Sequence, residues 1–167
     1  KDLKKHTASI RSEGFRDYKV WPEGERDEYY TTVYVEPYAA PNSRTLGFHI
    51  HTEDVRKSAL DHARDTGQPA LSGAVQLLQE TPAESRPGVL LYLPLYAKGR
   101  PLATVEERRA ALLGFVYSSF GLDDLLKGIM GANLEGVRLK VYDGESAEPS
   151  ALLYDSEAEA SKRAGRE

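Results

Sequence analysis

Apolar and polar residues alternate along several stretches of the chain. Side chains on a strand point alternately to its two faces, and β-branched and aromatic residues favour that conformation. This pattern predicts strands at Tyr29–Tyr38, Leu46–His51, Ala70–Glu80, Gly88–Tyr96 and Leu112–Phe120. Two further strands are predicted towards the C-terminus, at Val137–Tyr142 and Leu152–Tyr154.

A helix is predicted between the second and third of these strands. Thr52 is expected to cap it and Gly67 to end it, because a hydroxyl accepts from free amides and glycine tolerates the left-handed exit. Glu53 and Asp54 in the first turn suit the positive end of the helix dipole. The buried stripe of this helix is predicted at Val55, Ala59 and Ala63.

Three other helices are predicted from local signals. Lys1–Glu13 reads as a short polar helix, and Thr104 with Glu107 forms the capping-box pattern that opens another. The third has an apolar face at i, i+3, i+4 and i+7, followed by Gly131 as a stop. That face consists of Leu122, Leu125, Leu126 and Ile129.

The order of these elements predicts an α+β fold, with short antiparallel strands and helices on one side of them. The helix that begins at Leu122 separates the first sheet from the start of a second one. The charged tail from Ser156 to Glu167 fits either a helix or a disordered segment.

Composition narrows the class of protein. Hydrophobic residues make up 40% and charged residues 29% of the 167 residues, as in a soluble globular chain. The net charge of -4, with basic residues dispersed among acids, argues against a nucleic-acid partner. The absence of cysteine excludes disulfides, thiolate metal sites and cysteine nucleophiles. The longest apolar run, Gly88–Ala97, is about half the ~20 residues of a membrane span.

The sequence contains none of the common catalytic motifs. It has no nucleophile elbow, no Walker loop, no dinucleotide-binding glycine pattern and no H-E-x-x-H motif. His49 and His51 would share one face of a strand, and Glu53 or Asp54 is near enough in sequence to complete a metal site. A metal-dependent enzyme using the two histidines is therefore an alternative to a polar surface or pocket role. We expect no catalytic residues and no cofactor.

Aromatic residues offer a binding function instead. Ten tyrosines and one tryptophan supply amphipathic rings that can line a pocket and donate hydrogen bonds. Tyr92 and Tyr96 lie four apart on a predicted strand and so project to the same face. The alternative is that the tyrosines form the core and rim of the sheet.

Short motifs in a particular order cover the chain from about Trp21 to Asp155. They are Val35-Glu36-Pro37 with Asn42, Gly47-Phe48, Arg56, Ala63–Gly67 with Ala70-Leu71-Ser72, Leu77–Glu80, Leu91–Tyr96, Thr104–Arg108, Leu113–Val116 and Val141-Tyr142-Asp143. In order and spacing the chain resembles a CHASE domain, the extracellular sensory module of bacterial histidine kinases and cyclases and of the plant cytokinin receptors.

The resemblance implies two PAS-like subdomains on an N-terminal stalk helix. Residues 1–14 would end the stalk, 15–120 form the membrane-distal subdomain, 121–131 the linker helix, and 132–167 the start of an incomplete membrane-proximal subdomain. It also implies a periplasmic or extracellular location, membrane spans on both sides and a separate cytoplasmic output domain. The expected partners are an unknown small-molecule ligand and a second copy, paired through the stalk helix.

The resemblance places the ligand in the distal subdomain. The matching positions are Ser72, Leu77 and Tyr92, the last a phenol where the plant receptors have a small hydroxyl residue. The Tyr92 phenol, and an ambiguous alignment near Asp54 or Arg56 of the acidic residue that grips adenine in the receptors, imply a ligand other than a cytokinin. Arg56 with His49 or His51 indicates an anion or a carboxylate. The alternative from another class is a structural or protein-interaction module whose pocket is filled by its own tyrosines.

Overall fold

A computed structural model of the chain describes residues 2–80, 87–130, 137–158 and 161. It has the predicted α+β architecture, with antiparallel sheets, flanking helices and an N-terminal helix. The regular elements are α1 (Leu3–Ser12), α2 (Asp54–Thr66), β1 (Ala70–Leu71), β2 (Val75–Gln76), β3 (Pro87–Tyr96), α3 (Val105–Ala111), β4 (Leu112–Gly121), α4 (Leu122–Met130), β5 (Lys140–Tyr142) and β6 (Leu152–Asp155).

Strand β3 is the centre of the first sheet. It pairs antiparallel with β4 from Gly88↔Gly121 to Tyr96↔Leu112, and β1 and β2 also pair with it. The predicted strand Ala70–Glu80 is divided into β1 and β2. The division occurs because the Ser72 hydroxyl, and not a main-chain carbonyl, accepts from the Leu90 amide at 2.9 Å. Strands β5 and β6 form a separate two-stranded sheet.

Helix α2 packs against the β3–β4 hairpin and encloses the hydrophobic core. Among the described residues, the largest side chains that are almost fully buried are Tyr18, Tyr92, Leu60 and Leu90. The core cluster of buried residues is Phe48, Ile50, Ala59, Leu60, Ala63, Ala70, Val75, Leu77, Leu90 and Tyr92. The opposite face of β3 leaves Leu91, Leu93 and Leu95 exposed.

The predicted strands Tyr29–Tyr38 and Leu46–His51 are wrong. Both segments are extended in part, but they meet only at the isolated bridge Thr31↔His49 and at a few main-chain hydrogen bonds. A short 3₁₀ turn at Asn42–Thr45 precedes the second segment, and another at Ile50–Thr52 ends it. Their tyrosine, threonine and valine content reflects β propensity, which becomes a strand only where a continuous partner lies alongside.

The start of α2 also differs from the prediction. Thr52 donates its hydroxyl to the His49 carbonyl within a 3₁₀ turn, and Glu53 occupies the N-cap position without a side-chain capping bond. The buried face includes Arg56 and Leu60, while Val55 is 42% exposed. The predicted end of α2 at Gly67 is confirmed, since this glycine adopts the left-handed conformation with a φ of +74°.

Other local predictions are confirmed. Thr104 and Glu107 make both hydrogen bonds of the capping box at the start of α3. Helix α4 forms as predicted, but its apolar face is only partly covered, because Leu122 is buried and Ile129 is 71% exposed. Gly131 lies outside the described residues. Of the tail, residues 156–158 and 161 are described, and they are helical.

The turn at Gly47 brings an extended segment against the core. A Cβ there would lie 1.8 Å from the Lys19 carbonyl oxygen, and the φ of Gly47 is +77°. Both the contact and the conformation require glycine. The turn places Phe48 and Ile50 beside α2, so it positions one wall of the cavity described below. No helix within the described residues has the length and apolarity to cross a bilayer.

Candidate ligand-binding site

A small cavity lies between the start of α2, the β3–β4 hairpin and the segment around the 3₁₀ turns. Its volume is about 10 Å³, which is room for about one water molecule. Apolar and aromatic side chains form most of its wall, and several polar groups face it. The lining residues are Thr45, Phe48, Ile50, Arg56, Leu78, Gln79, Leu90, Tyr92 and Tyr117.

Arg56 is the charged group of the cavity, and it is 4% exposed. Its Nε donates to the Glu53 carboxylate at 2.7 Å and its Nη2 donates to the Gln76 carbonyl at 2.6 Å. The guanidinium carbon lies 5.6 Å from the centre of the Phe48 ring, within range of a cation–π contact. The guanidinium is therefore held in one place from several sides.

Tyr92 points its phenol into the same region and is fully buried. Within the described part of the chain, no group meets the geometry of a hydrogen bond to its Oη. Burial raises the pKa of this phenol. The Arg56 guanidinium lowers it, through its charge and through a side-chain contact with the phenol that falls short of hydrogen-bond geometry. A buried hydroxyl without a partner is costly, so this atom is a candidate contact for a ligand.

The other polar groups of the wall have partners. Tyr117, which faces Tyr92 across the hairpin, shares a hydrogen bond of 3.0 Å with the Thr32 hydroxyl. Thr45 donates to the Asn42 carbonyl at 2.9 Å. The Gln79 amide donates to the Ser119 hydroxyl at 3.1 Å. These bonds hold the wall in place, and they leave Arg56 and Tyr92 as the groups best able to bind a polar ligand.

Two residues matched by the resemblance lie beside the cavity and not on its wall. Ser72 donates to the Gly73 carbonyl and accepts from the Leu90 amide, so its hydroxyl already has a donor and an acceptor within the sheet. Leu77 belongs to the hydrophobic core and covers Gly88, where an added Cβ would lie 2.5 Å from the Leu77 side chain. In this structure both side chains serve packing, and their contact with a ligand stays a prediction.

His49 and His51 lie on the far side of the same turn, with Ile50 between them reaching the cavity. His49 accepts from the Tyr30 amide at 3.2 Å, and His51 stacks on the Tyr30 ring with centroids 4.1 Å apart. Burial lowers the pKa of both imidazoles. Neither histidine is among the lining residues of the cavity, and their action together with Arg56 stays a prediction.

The two imidazoles do not share one face of a strand, because the chain turns into a 3₁₀ helix at Ile50. Their ring centroids are 6.0 Å apart and tilted by 62°. His51 Nε2 lies 3.7 Å from Asp61, a residue of α2 that also pairs with Lys57 and Arg64. Across the described ranges, no three side chains of His, Asp or Glu are grouped as a metal site.

Sequence reasoning missed Thr45, Gln79 and Tyr117 as wall residues. For Tyr117 the sequence was ambiguous, because only a register shift between Leu95 and Tyr96 decides that Tyr117, and not Val116, lies opposite Tyr92. Thr45 and Gln79 carried no signal, since both lie in irregular segments whose path depends on tertiary contacts. The arrangement as a whole offers two buried donors within apolar walls, which suits binding and orientation of a small polar molecule.

Comparison with known proteins supplies a family and a relative. A family model described as the CHASE domain matches residues 1–154. The chain is 29% identical over 144 residues to hybrid signal transduction histidine kinase A of Dictyostelium discoideum. The match covers 83% of this chain but 7% of the relative, so the chain corresponds to a small part of that longer protein.

Proposed function

This chain belongs to the CHASE domain family, and on that premise we propose that it is the extracytoplasmic ligand-sensing domain of a membrane-bound signalling receptor. CHASE domains are sensory domains of histidine kinases and cyclases. The receptor would be of the histidine kinase or diguanylate cyclase type, with its catalytic output in another domain. The ligand is a small molecule that enters the cavity beside Arg56 and Tyr92.

The observation that carries this proposal is the pair of buried polar side chains at the cavity. Arg56 is 4% exposed and Tyr92 is fully buried, and the Tyr92 Oη has no hydrogen-bond partner among the described residues. A core selected for stability alone favours apolar or fully satisfied side chains. A buried polar group without a protein partner departs from that rule, and such departures are expected at functional sites.

Ligand binding can be tested on the purified 167-residue chain. A library of small metabolites is screened by thermal shift, and each hit is mapped by chemical-shift changes in the protein's NMR spectrum. Binding should raise the melting temperature and perturb the amides of residues around Arg56 and Tyr92. A hit that perturbs only residues far from the cavity would contradict the proposed site.

The extracytoplasmic location has a separate test in the complete protein. An apolar stretch of about 20 residues is expected on each side of this segment, since that length spans a bilayer. A protease added to intact cells, or to spheroplasts where the cell has an outer membrane, should also cleave this domain in the full-length receptor. Flanking regions without apolar stretches, or a domain that is protected until the inner or plasma membrane is lysed, would refute the location and leave the binding result intact.

The subdomain boundaries and the pairing of two copies through the N-terminal helix remain parts of the proposal. Helix α1 buries only Ile10 among its residues, so much of its surface is open to a partner helix. Light scattering of the purified chain, with and without residues 1–12, would measure whether α1 supports a dimer.

A structural or protein-interaction module is the second candidate. One observation favours it: the cavity measures about 10 Å³ because Tyr92 and Tyr117 occupy the space between α2 and the hairpin. Under this alternative no small molecule binds at the cavity. Tyr92→Ala would then lower stability without creating affinity for any member of the library.

A further inference from the structure

We infer that the ligand is a small carboxylate and that Glu53 is an internal carboxylate which occupies Arg56 until the ligand replaces it. This inference rests on the proposed sensing function and names the chemical class of its ligand. It is carried by the Glu53–Arg56 contact, by the burial of Arg56 and by the hydroxyl of Tyr92.

The two partners of the ion pair differ in their freedom to move. The Arg56 side chain is 4% exposed, whereas the Glu53 side chain is 44% exposed. Arg56 is also held by the Gln76 carbonyl and by the Phe48 ring, so it stays in place when Glu53 leaves. Glu53 can rotate into water, where its carboxylate is fully solvated. The cation is therefore the fixed half of the pair and the acid is the exchangeable half.

Burial of the guanidinium makes an anionic partner necessary. Removing one member of a buried ion pair leaves an uncompensated charge, which is strongly unfavourable. Departure of Glu53 is accordingly favourable only if another anion takes its place on Arg56. A neutral or cationic ligand cannot meet this requirement, and a carboxylate meets it with the geometry that guanidinium groups bind best.

Tyr92 gives a ligand an advantage over Glu53. Arg56 and Tyr92 both line the cavity, and Glu53 is bonded to Arg56. Burial raises the pKa of the Tyr92 phenol, the Arg56 guanidinium lowers it through its charge and a side-chain contact, and the Glu53 charge raises it. Glu53 nevertheless leaves the Tyr92 Oη without a hydrogen bond. A ligand carboxylate has two oxygens, so one can accept from Arg56 and the other from Tyr92. The ligand thereby satisfies one more buried donor than the internal carboxylate does.

The cavity by itself has room for about one water molecule, so a carboxylate ligand must be small and must also occupy the space that the Glu53 side chain leaves when it turns into water. The available volume is about 10 Å³, and Ile50, Leu78 and Leu90 contribute apolar surface to it. A short aliphatic chain suits this wall better than a second charged group would. Propionate is therefore the probe, with propionamide as its neutral counterpart and propylamine as its cationic one.

The test measures binding of these three compounds to the full chain by NMR titration at constant ionic strength, with chloride as the balancing anion. Propionate should bind at the cavity, and propionamide and propylamine should not. Glu53→Gln should tighten propionate binding by about tenfold, because it weakens the internal competitor. Asp54→Asn removes the same charge one residue away on the exposed side of α2, so it should leave the affinity within about twofold.

Two further variants address the donors. Tyr92→Phe should weaken propionate binding by about tenfold with the fold preserved. Arg56→Lys keeps the charge but loses the planar fork and should abolish binding; circular dichroism checks that the variant is folded. The inference would be overturned if Glu53→Gln and Asp54→Asn changed the affinity for propionate equally, or if propionate and propionamide bound with equal affinity.

The outcomes separate this inference from the function on which it rests. If a neutral or cationic library compound binds at the cavity and Glu53→Gln does not change its affinity, sensing stands and the carboxylate inference is wrong. If no compound of any charge binds at the cavity, the sensing proposal fails, and the carboxylate inference fails with it.

Discussion

Replacing Tyr92 with phenylalanine should stabilise the ligand-free protein. The substitution removes only the hydroxyl, which is fully buried and has no hydrogen-bond partner among the described residues. Leaving such a group unsatisfied costs about 1–3 kcal/mol. The lost oxygen enlarges the cavity by roughly 10 Å³, and that costs only about 0.2 kcal/mol at about 24 cal/mol per Å³. We expect Tyr92→Phe to raise the free energy of unfolding by about 1–3 kcal/mol.

The matched control is Tyr18→Phe. Tyr18 is also almost completely buried, but its hydroxyl is hydrogen bonded to the His6 imidazole at 3.1 Å and to the Thr31 hydroxyl at 3.0 Å. Removing this satisfied hydroxyl should lower the free energy of unfolding by about 1 kcal/mol. The same chemical change is therefore expected to have opposite signs at the two positions.

Urea unfolding followed by the fluorescence of Trp21 measures both effects, since Trp21 packs on Phe48 beside the cavity. For a domain of this size, a gain of about 1–3 kcal/mol corresponds to a rise of about 2–12 °C in melting temperature. If Tyr92→Phe loses 1 kcal/mol or more, the hydroxyl has a partner in the folded protein, and the argument for an unsatisfied donor is refuted.

Three other predictions concern the scaffold. Gly47→Ala should lower the free energy of unfolding by more than about 3 kcal/mol, because its Cβ meets a main-chain carbonyl. The control Gly99→Ala, with a similar φ of +78° and no neighbour within 4 Å, should cost about 1–2 kcal/mol, and equal losses of stability would contradict the contact at Gly47. Arg109 and Arg64 lower the pKa of Asp65, so the stability gained from this pairing is present above about pH 4 and is lost as pH falls further. Asp65→Asn should therefore unfold at lower urea than wild type at pH 6, and the gap should narrow below pH 4; a gap independent of pH would refute the pairing. Burial lowers the pKa of His51, so the unfolded chain binds more protons below about pH 6.5 and wild type should lose stability from pH 7 to 5. His51→Asn should reduce this dependence of stability on pH, measured as the urea midpoint between pH 7 and 5. Parallel curves of midpoint against pH for the variant and wild type would contradict the prediction.

The sequence by itself determined the elements that depend on neighbours a few residues apart. Gly67 ends α2 because the left-handed exit is a property of that residue, and Thr104 with Glu107 opens α3 because the two lie one turn apart. The hairpin of β3 and β4 followed from two long apolar stretches that pair with each other. The order of motifs along the chain also identified the family, which the match over residues 1–154 confirms.

Only the tertiary structure decided what happens between residues 29 and 52. Residues with high β propensity favour an extended conformation, but a ladder needs a partner of matching length, and here the two segments meet only at isolated points. The resulting turns move His49 and His51 to one side of the wall and Ile50 to the other. No periodicity in the sequence specifies that division.

The wall of the cavity shows most clearly what the periodicity of the sequence does not predict. Spacing along α2 predicted a buried Val55, yet the structure buries Arg56 and exposes Val55. Burying the cation is possible because the Gln76 carbonyl, the Glu53 carboxylate and the Phe48 ring converge on it from other parts of the fold. Hydrophobic periodicity records the preference of each side chain for water or core. It carries no information on partners that are distant in sequence, and those partners determine which polar groups can be buried in the core.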